Sequence, residues 1–208
     1  MDDFFQLFVK KFGAPTVSHA VPETAFATYE GTLPKCLLSY WREFGWCSFS
    51  NGLVWVVDPG LFRGRIGSWL SDMPEFSGTD YFVFARSAFG SLYAYRPETA
   101  DVIRVVTTLN LVFAKRTLGK PKTDKERVIQ TFFASAQPAD YDLIGEDNAP
   151  LFSKALESLG PLTAEEVYGF EPLLVLGGSA SVSHLKKLRL DVHLDIMRQF
   201  SHPVLRLV

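Results

Sequence analysis

Apolar residues at helical spacing predict two amphipathic helices in the first quarter of the chain. In the first helix, four of the first eight residues of the chain are phenylalanine or leucine. Asp2 or Asp3 is its predicted N-cap, and Gly13 is its predicted end. The second begins at Pro34, which suits the first turn of a helix, and ends at Gly45. Both helices should pack an aromatic face inward.

A change to short β-rich runs follows the second helix. Residues 46–49 and 53–57 flank Asn51 and Gly52, which tolerate the positive φ angles of a tight hairpin turn. After a short helix at 61–70, further strands are predicted at 81–86, 92–96, 102–106 and 111–115. Short connections between them indicate an antiparallel meander, so residues 1–116 are predicted to form an α+β domain with helices packed on one curved sheet.

The chain is predicted to divide near residue 116. The polar stretch from Lys115 to Arg127 contains Gly119 and Pro121, as a linker or boundary would. Residues 117–208 are predicted to form a mainly helical domain, with helices at 128–134, 149–159, 163–169 and 190–200 and a short extended piece near Gly177. The predicted fold class is therefore α+β, with an antiparallel sheet and packed helices followed by a mainly helical domain.

Composition narrows the class of protein. Hydrophobic residues make up 47% and charged residues 21%, so a packed core is expected. A net charge of -2 argues against direct nucleic-acid binding, which normally needs a basic surplus. Cys36 and Cys47 are too few for a disulfide framework and are interpreted as free thiols in a reducing compartment. The first residues do not resemble a signal peptide, and no apolar run approaches ~20 residues, so a soluble cytoplasmic protein is expected.

Enzyme and metal chemistry find little support in the sequence. The four histidines lie in no H-E-x-x-H pattern, and no C-x-x-C is present, so we expect no metal. The Gly177-Gly178-Ser179 turn lacks the lysine and the spacing of a phosphate-binding loop, so we expect no nucleotide cofactor. Glu165 and Glu166 are adjacent and would diverge on a helix, which disfavours a paired-carboxylate site. We therefore expect no catalytic residues.

One acidic segment is a candidate binding surface. Asp140, Asp142, Glu146 and Asp147 lie in PADYDLIGEDNAP, which has no basic residue. A solvated acidic loop is the plain interpretation of this segment. The functional interpretation is a patch that meets a basic partner such as a nuclease, whose DNA-binding surface is typically cationic.

Two segments resemble one family in the same order. Residues 33–62, LPKCLLSYWREFGWCSFSNGLVWVVDPGLF, resemble the GAD-like domain. Residues 151–178, LFSKALESLGPLTAEEVYGFEPLLVLGG, resemble the C-terminal domain of immunity proteins that protect bacteria from type VI-secreted DNase toxins, and the likeness continues through 185–200. The resemblance implies that the family's characteristic residues are present at matching positions of this chain, and most of them look like determinants of the fold. These residues are Tyr40, Trp41, Gly45, Gly52, Trp55, Pro59, Gly160, Glu166, Tyr168, Gly169, Phe170, Gly177 and Gly178.

The resemblance implies a function that the residues alone do not show. It implies a cytoplasmic, non-enzymatic antitoxin that binds a cognate nuclease effector, as a monomer or in a 1:1 complex, and occludes or distorts its active site. Charge complementarity would then place the toxin-binding surface at the acidic segment. The alternative is a small ligand-binding protein or enzyme that uses a pocket between the two domains.

Overall fold

The computed structural model describes residues 1–78, 80–200 and 202–208, which hold seven α-helices and ten strands. The helices are α1 (Asp3–Phe12), α2 (Glu23–Tyr29), α3 (Lys35–Phe44), α4 (Arg63–Leu70), α5 (Lys125–Ser135), α6 (Phe152–Leu159) and α7 (Leu190–Gln199). The strands are β1 (Val17–His19), β2 (Trp46–Phe49), β3 (Val54–Val56), β4 (Phe82–Ser87), β5 (Leu92–Arg96), β6 (Asp101–Val106), β7 (Leu111–Ala114), β8 (Glu166–Phe170), β9 (Leu185–Arg189) and β10 (Val204–Leu207).

Eight of the strands form one sheet in the order β1-β2-β3-β4-β5-β6-β7-β10. Neighbours from β1 to β7 are antiparallel, and a bulge between Val83 and Ala85 shifts the register of β4 on β5. The last strand, β10, is parallel to β7 with Val204 beside Leu111. Strands β8 and β9 form a separate antiparallel pair. The predicted α+β class with a large, mostly antiparallel sheet is confirmed.

The hairpin predicted at Asn51 and Gly52 joins β2 to β3. Ser50, Asn51 and Gly52 all have positive φ, and Ser48 pairs with Trp55 across the two strands. The Trp55 indole Nε1 donates to the Gly52 carbonyl at 2.8 Å, which closes the turn over the buried ring. Asn and Gly at these positions therefore supply the left-handed backbone that the connection needs.

An aromatic cluster packs helices from both predicted domains together. The Phe5 ring of α1 stacks on Tyr40 of α3 with centroids 4.0 Å apart, and Phe133 of α5 meets it edge-on at 4.9 Å. Asp2 caps α1 by accepting from the Phe5 amide and also accepts from the Tyr40 hydroxyl. Helix α5 follows the proposed boundary at residue 116, yet it packs against α1 and α3.

The helix predicted at 163–169 is wrong, because this segment enters strand β8. Glu166 does make the local contacts of a helix start: its carboxylate accepts from the Thr163 amide, and its own amide donates to the Thr163 carbonyl. No helix follows this turn. Val167, Tyr168 and Phe170 are all buried, and on a surface helix these neighbouring residues would point in different directions, so they could not all be buried. Strand β9 pairs with β8 over its whole length. Three helices still provide most of the regular structure after residue 116.

A buried histidine packs α7 onto this strand pair. His193 is 3% exposed, and a side chain on Gly169 would lie 2.8 Å from the imidazole Cε1 and 2.6 Å from Leu188 Cδ1. Glycine is therefore required at position 169, because His193 and Leu188 lie too close to its backbone to leave room for a side chain. Burial lowers the pKa of His193 to about 4 from its ordinary 6.5, because the charged imidazolium loses its water there.

The helices are short relative to a bilayer. The longest, α5, has 11 residues, whereas ~20 are needed to span the hydrocarbon core. In the described part of the chain, no helix has the length and apolar character to cross a membrane.

Removal of the Trp55 side chain should destabilise the fold strongly. Trp55 is 2% exposed, so we expect Trp55→Ala to lower the free energy of unfolding by about 3–5 kcal/mol in urea titrations. Trp55→Phe keeps an aromatic ring but loses the bond to Gly52, so its loss should be smaller. An alanine variant within about 1 kcal/mol of wild type would contradict this role.

Acid should destabilise the protein through His193. The pKa is lowered in the folded state, so the unfolded chain binds a proton first as pH falls below 6.5. Stability should be full above pH 6.5 and should fall by up to about 3 kcal/mol as pH approaches 4. In unfolding titrations, His193→Gln should flatten this part of the pH profile, whereas His19→Gln, at an exposed histidine, should leave it unchanged. Parallel profiles for wild type and His193→Gln would contradict the prediction.

Candidate functional site

A cleft of about 380 Å³ lies between the large sheet and the C-terminal region. One wall is built by β3, the turn after it and α4, which contribute Trp55, Leu61 and Arg65. The facing wall is built by Glu165, just before β8, and by the junction of β9 with α7. Three segments, 55–65, 164–165 and 189–194, therefore meet at one concave surface.

The floor of the cleft is apolar and its rim is polar. Trp46, Trp55 and Leu194 line the floor, and Leu61 stands at the edge with 67% of its surface exposed. An exposed leucine beside a tryptophan-lined hollow is costly to leave in water, at roughly 25 cal/mol per Å² of apolar surface. This arrangement is typical of a surface that receives an apolar or aromatic side chain.

The charges at the rim are mostly held in ion pairs. Arg65 binds Asp195 through both Nε and Nη2, at 2.9 and 3.1 Å. Arg189 and Asp191 pair at 2.7 Å, and this hydrogen bond lowers the pKa of Asp191 and raises that of Arg189. The lowered pKa keeps the Asp191 carboxylate ionised, which suits polar recognition at the edge of an interface.

The lining of the cleft holds few nucleophilic side chains. Among its described lining residues there is no serine or cysteine, and His19 is the one histidine. The two free cysteines lie elsewhere: Cys47 is buried and Cys36 half-buried. Burial raises the pKa of both thiols, so neither is an activated nucleophile.

Two of the predicted toxin-binding acids are engaged in local hydrogen bonds. The Asp140 carboxylate accepts from the Gln137 amide and caps a one-turn 3-10 helix. Asp142 is half-buried and accepts from the Leu143 and Phe152 amides, so it caps the start of α6. Burial raises the pKa of Asp142 despite these bonds. Asp142 therefore has a structural role that its sequence context did not reveal.

The other two acids lie at the tip of the acidic segment. Glu146 and Asp147 are exposed, and both line a shallow hollow of about 260 Å³ together with Lys154 and Ser181. Asp147 forms an ion pair with Lys154 and accepts from the Ala149 amide. The structure thus brings Glu146 and Asp147 together, whereas Asp140 and Asp142 lie before the loop and support its two neighbouring helices.

The remaining sequence motifs are used within the fold. The Gly177 and Gly178 amides donate to the Leu174 and Leu173 carbonyls, so this turn does not present them to a phosphate. A side chain on Gly178 would meet the Pro172 carbonyl oxygen at 2.0 Å, which explains the glycine. Within residues 1–78, 80–200 and 202–208, no cluster of three or more histidine, cysteine or acidic side chains is arranged to hold a metal.

The cleft was not predicted from the sequence. The sequence predicts only a short helix at 61–70, which contains Leu61 and Arg65, and a helix at 190–200, which contains Asp191 and begins next to Arg189. Each residue looks ordinary in its own segment, and the local pattern carries no signal that β9 brings Arg189 next to α4. The one available signal was the general expectation of a pocket between two domains.

Comparisons with known proteins agree with these features. A sequence family described as GAD-like domain matches residues 3–109, and one described as T6SS immunity protein Tdi1, C-terminal, matches residues 126–201. The crystal structure of Atu4351 from Agrobacterium tumefaciens has a TM-score of 0.84 and 18% sequence identity, over 97% of this chain and 91% of that one. At this identity the likeness shows the fold. A comparison with curated protein sequences gives no match.

The first match covers helices α1 to α4 with strands β1 to β6 of the large sheet, and the second covers nearly all of α5, then α6, β8, β9 and α7. They agree with the two segments whose sequences carry the resemblance. The chain therefore belongs to the GAD-like domain family, and its C-terminal region matches the C-terminal domain family of the type VI secretion system (T6SS) immunity protein Tdi1.

Proposed function

We propose that this chain is a cytoplasmic, non-enzymatic antitoxin that binds one cognate T6SS nuclease effector and neutralises it by occluding or distorting its active site. The observation that carries the proposal is the immunity-protein match over residues 126–201. It is supported by the cleft, which has an apolar floor and two arginines at its rim, Arg65 and Arg189, that are held in ion pairs.

The cleft is the surface that we assign to the effector. An aromatic or aliphatic side chain of the effector would enter between Trp46 and Leu194, next to Leu61. Arg65 and Arg189 would meet acceptors on the effector at the rim. A few buried anchors of this kind supply most of the binding energy in protein interfaces, while the polar rim supplies specificity.

We propose that the acidic segment attracts the effector before the two proteins touch. Glu146 and Asp147 are exposed at the tip of a loop, and an acidic surface speeds association with a cationic nuclease through long-range attraction. Steering would raise the association rate, whereas the cleft would determine how long the complex lasts.

A ligand-binding protein is the second candidate, because about 380 Å³ is within the usual range for small-molecule pockets. The effector hypothesis is favoured since Leu61 projects from the edge instead of closing the cleft. The two hypotheses differ in one experiment: if a small apolar ligand protects the cleft, it should raise the melting temperature without any effector present.

A charge at the rim should abolish protection. We expect Leu61→Arg to weaken effector binding by at least about 30-fold, because an arginine there would be forced against apolar surface. In a bacterium that expresses the neighbouring nuclease gene, this variant should fail to restore growth, and a titration with inactive nuclease should show the lost affinity.

The matched control is Leu7→Arg. Leu7 is an exposed leucine on α1, with 48% of its surface in solvent, so this change adds the same charge without touching the cleft. The control should protect as wild type does. Equal protection by both variants would remove the cleft from the interface, and no binding of wild type to any neighbouring gene product would remove the antitoxin proposal.

Neutralising the acidic segment should slow association. We expect Asp140→Asn, Glu146→Gln and Asp147→Asn together to lower the association rate about three- to tenfold at low ionic strength, and much less at ~500 mM salt. Asp142 is also predicted to contribute, but it is kept in this variant because it caps α6. Stopped-flow mixing with the inactive nuclease measures the rate.

The control for this variant neutralises three exposed glutamates elsewhere: Glu30, Glu75 and Glu157. It has the same net charge, so it separates a local effect from a general one. If both triple variants associate at the same rate at every salt concentration, the acidic segment does not steer the effector.

A further inference from the structure

The charged edge of the cleft is held by a residue that lies outside the cleft lining. Arg65, near the start of α4, lines the cleft, whereas its partner Asp195 on α7 does not. The Arg65 Nε and Nη2 donate to the two carboxylate oxygens of Asp195 at 2.9 and 3.1 Å. This bidentate pair restricts the guanidinium to one orientation, because two parallel hydrogen bonds must be kept at once.

The same guanidinium also holds the backbone of Leu61. The Arg65 Nη1 donates to the Leu61 carbonyl at 3.2 Å. The Leu61 side chain is 67% exposed, so packing contributes little to fixing its position and the backbone must do so. Asp195, Arg65 and Leu61 therefore form a chain of contacts that runs from α7 to the edge of the cleft.

These contacts use three of the five N–H groups of Arg65. Within the described residues the other two, on Nη1 and Nη2, make no hydrogen bond. Both nitrogens can therefore donate to an acceptor on the effector, in an orientation that is set before the effector arrives. A side chain that is already ordered loses less conformational entropy on binding.

The ion pair matters more for recognition than for folding. The two side chains are 29% and 52% exposed, and a pair this accessible to water contributes little to stability because water and salt screen it. A second link between the same helices runs from Arg198 to the Ser68 carbonyl and to Asp72. Loss of Asp195 should therefore free the edge of the cleft while the two helices stay together.

We propose that Asp195 is a positioning residue for effector recognition: it fixes Arg65, and through Arg65 it fixes Leu61, without touching the effector. Leu61 supplies the apolar contact, and Arg65 donates to an oxygen acceptor of the effector. This inference rests on the proposed function, because it assigns a role within the surface that receives the effector. It adds a residue that belongs neither to the acidic segment nor to the cleft lining.

The first test measures affinity for the catalytically inactive product of the neighbouring nuclease gene. Asp195→Ala should bind about fivefold to tenfold more weakly than wild type, because two side chains must then be ordered during binding. Its melting temperature should fall by less than about 4 °C. In an Arg65→Ala background the same change should cause no further loss, because Asp195 acts through Arg65. Asp195→Glu keeps a carboxylate and should bind within about threefold of wild type.

The matched control is Asp72→Ala. It removes one acidic charge from the same junction of α4 with α7, but the ion-pair partners of Asp72 are Arg198 and His202 rather than Arg65. Any general effect of net charge on association with a cationic nuclease is therefore the same in both variants. The control should bind the inactive nuclease as tightly as wild type does.

A spectroscopic measurement on the free protein tests the positioning without the effector. In proton–nitrogen correlation spectra, the Arg65 Nε–H signal can be identified by its absence from Arg65→Lys. It should exchange slowly with water in wild type and in Asp72→Ala. In Asp195→Ala it should exchange rapidly, because the hydrogen bond to the carboxylate is lost.

The proposal is overturned if Asp195→Ala binds within about twofold of wild type, or if the same loss appears in the Arg65→Ala background. It is also overturned if Asp72→Ala is weakened equally, or if the Arg65 signal is the same in wild type and Asp195→Ala. A wild-type protein that binds no nuclease would overturn the proposed function together with the recognition role. The Nε–H signal would distinguish that outcome from a failure of the positioning itself.

Discussion

The buried guanidinium of Arg86 is the interaction on which the joining of the two regions depends. Arg86 is fully buried on β4, and its guanidinium carbon lies 4.6 Å from the centre of the Trp55 ring on the neighbouring strand. Its Nη2 donates to the Ala164 carbonyl at 2.9 Å. A buried charge costs several kcal/mol unless it is compensated. Backbone carbonyls and an aromatic face provide that compensation here, and both regions must be in place for it.

This interaction also sets the geometry of the cleft. Trp55 forms the floor and Ala164 and Glu165 part of one wall, so the residues that Arg86 joins are those that line the binding surface. The Tyr168 amide donates to the Ala88 carbonyl at 2.9 Å and extends the same junction along β8. Burial lowers the pKa of Arg86 to about 9, which leaves it charged at neutral pH. At neutral pH the cleft is therefore held by a buried charge as well as by apolar packing.

Sequence reasoning succeeded where the determinants are local. The end of α1 at Gly13, the hairpin at Asn51 and the meander up to β7 follow from caps, turn residues and alternation. It failed at 163–169, where the Glu166 carboxylate does accept from the Thr163 amide as at a helix start, but pairing with strand β9 decided the outcome. The missed elements β1 and β10 are short, and their existence depends on strands that lie far away in sequence.

For the candidate site, too, sequence patterns found what is local in the chain and missed what depends on contacts between distant segments. The acidic segment was found because four acids stand close together in the sequence, yet the structure uses Asp142 as a helix cap. The cleft carries no local signal, because its residues become neighbours only when α7 packs against α4. Identity of the family was accessible from sequence since its hallmarks are glycines and aromatics at fixed spacing, whereas the geometry of a binding surface is a property of the assembled chain.

The parallel pairing of β10 with β7 has a consequence for the order of folding. Residues 111–114 are synthesised about ninety positions before the strand that covers them, so during translation β7 remains an open edge after the rest of the meander has formed. Contacts of such long sequence separation form late, because the intervening loop must first be closed at a cost in entropy. The nascent chain thus has a period in which its sheet is complete enough to pack but still able to pair wrongly, and a chaperone that shields β7 would act in that interval.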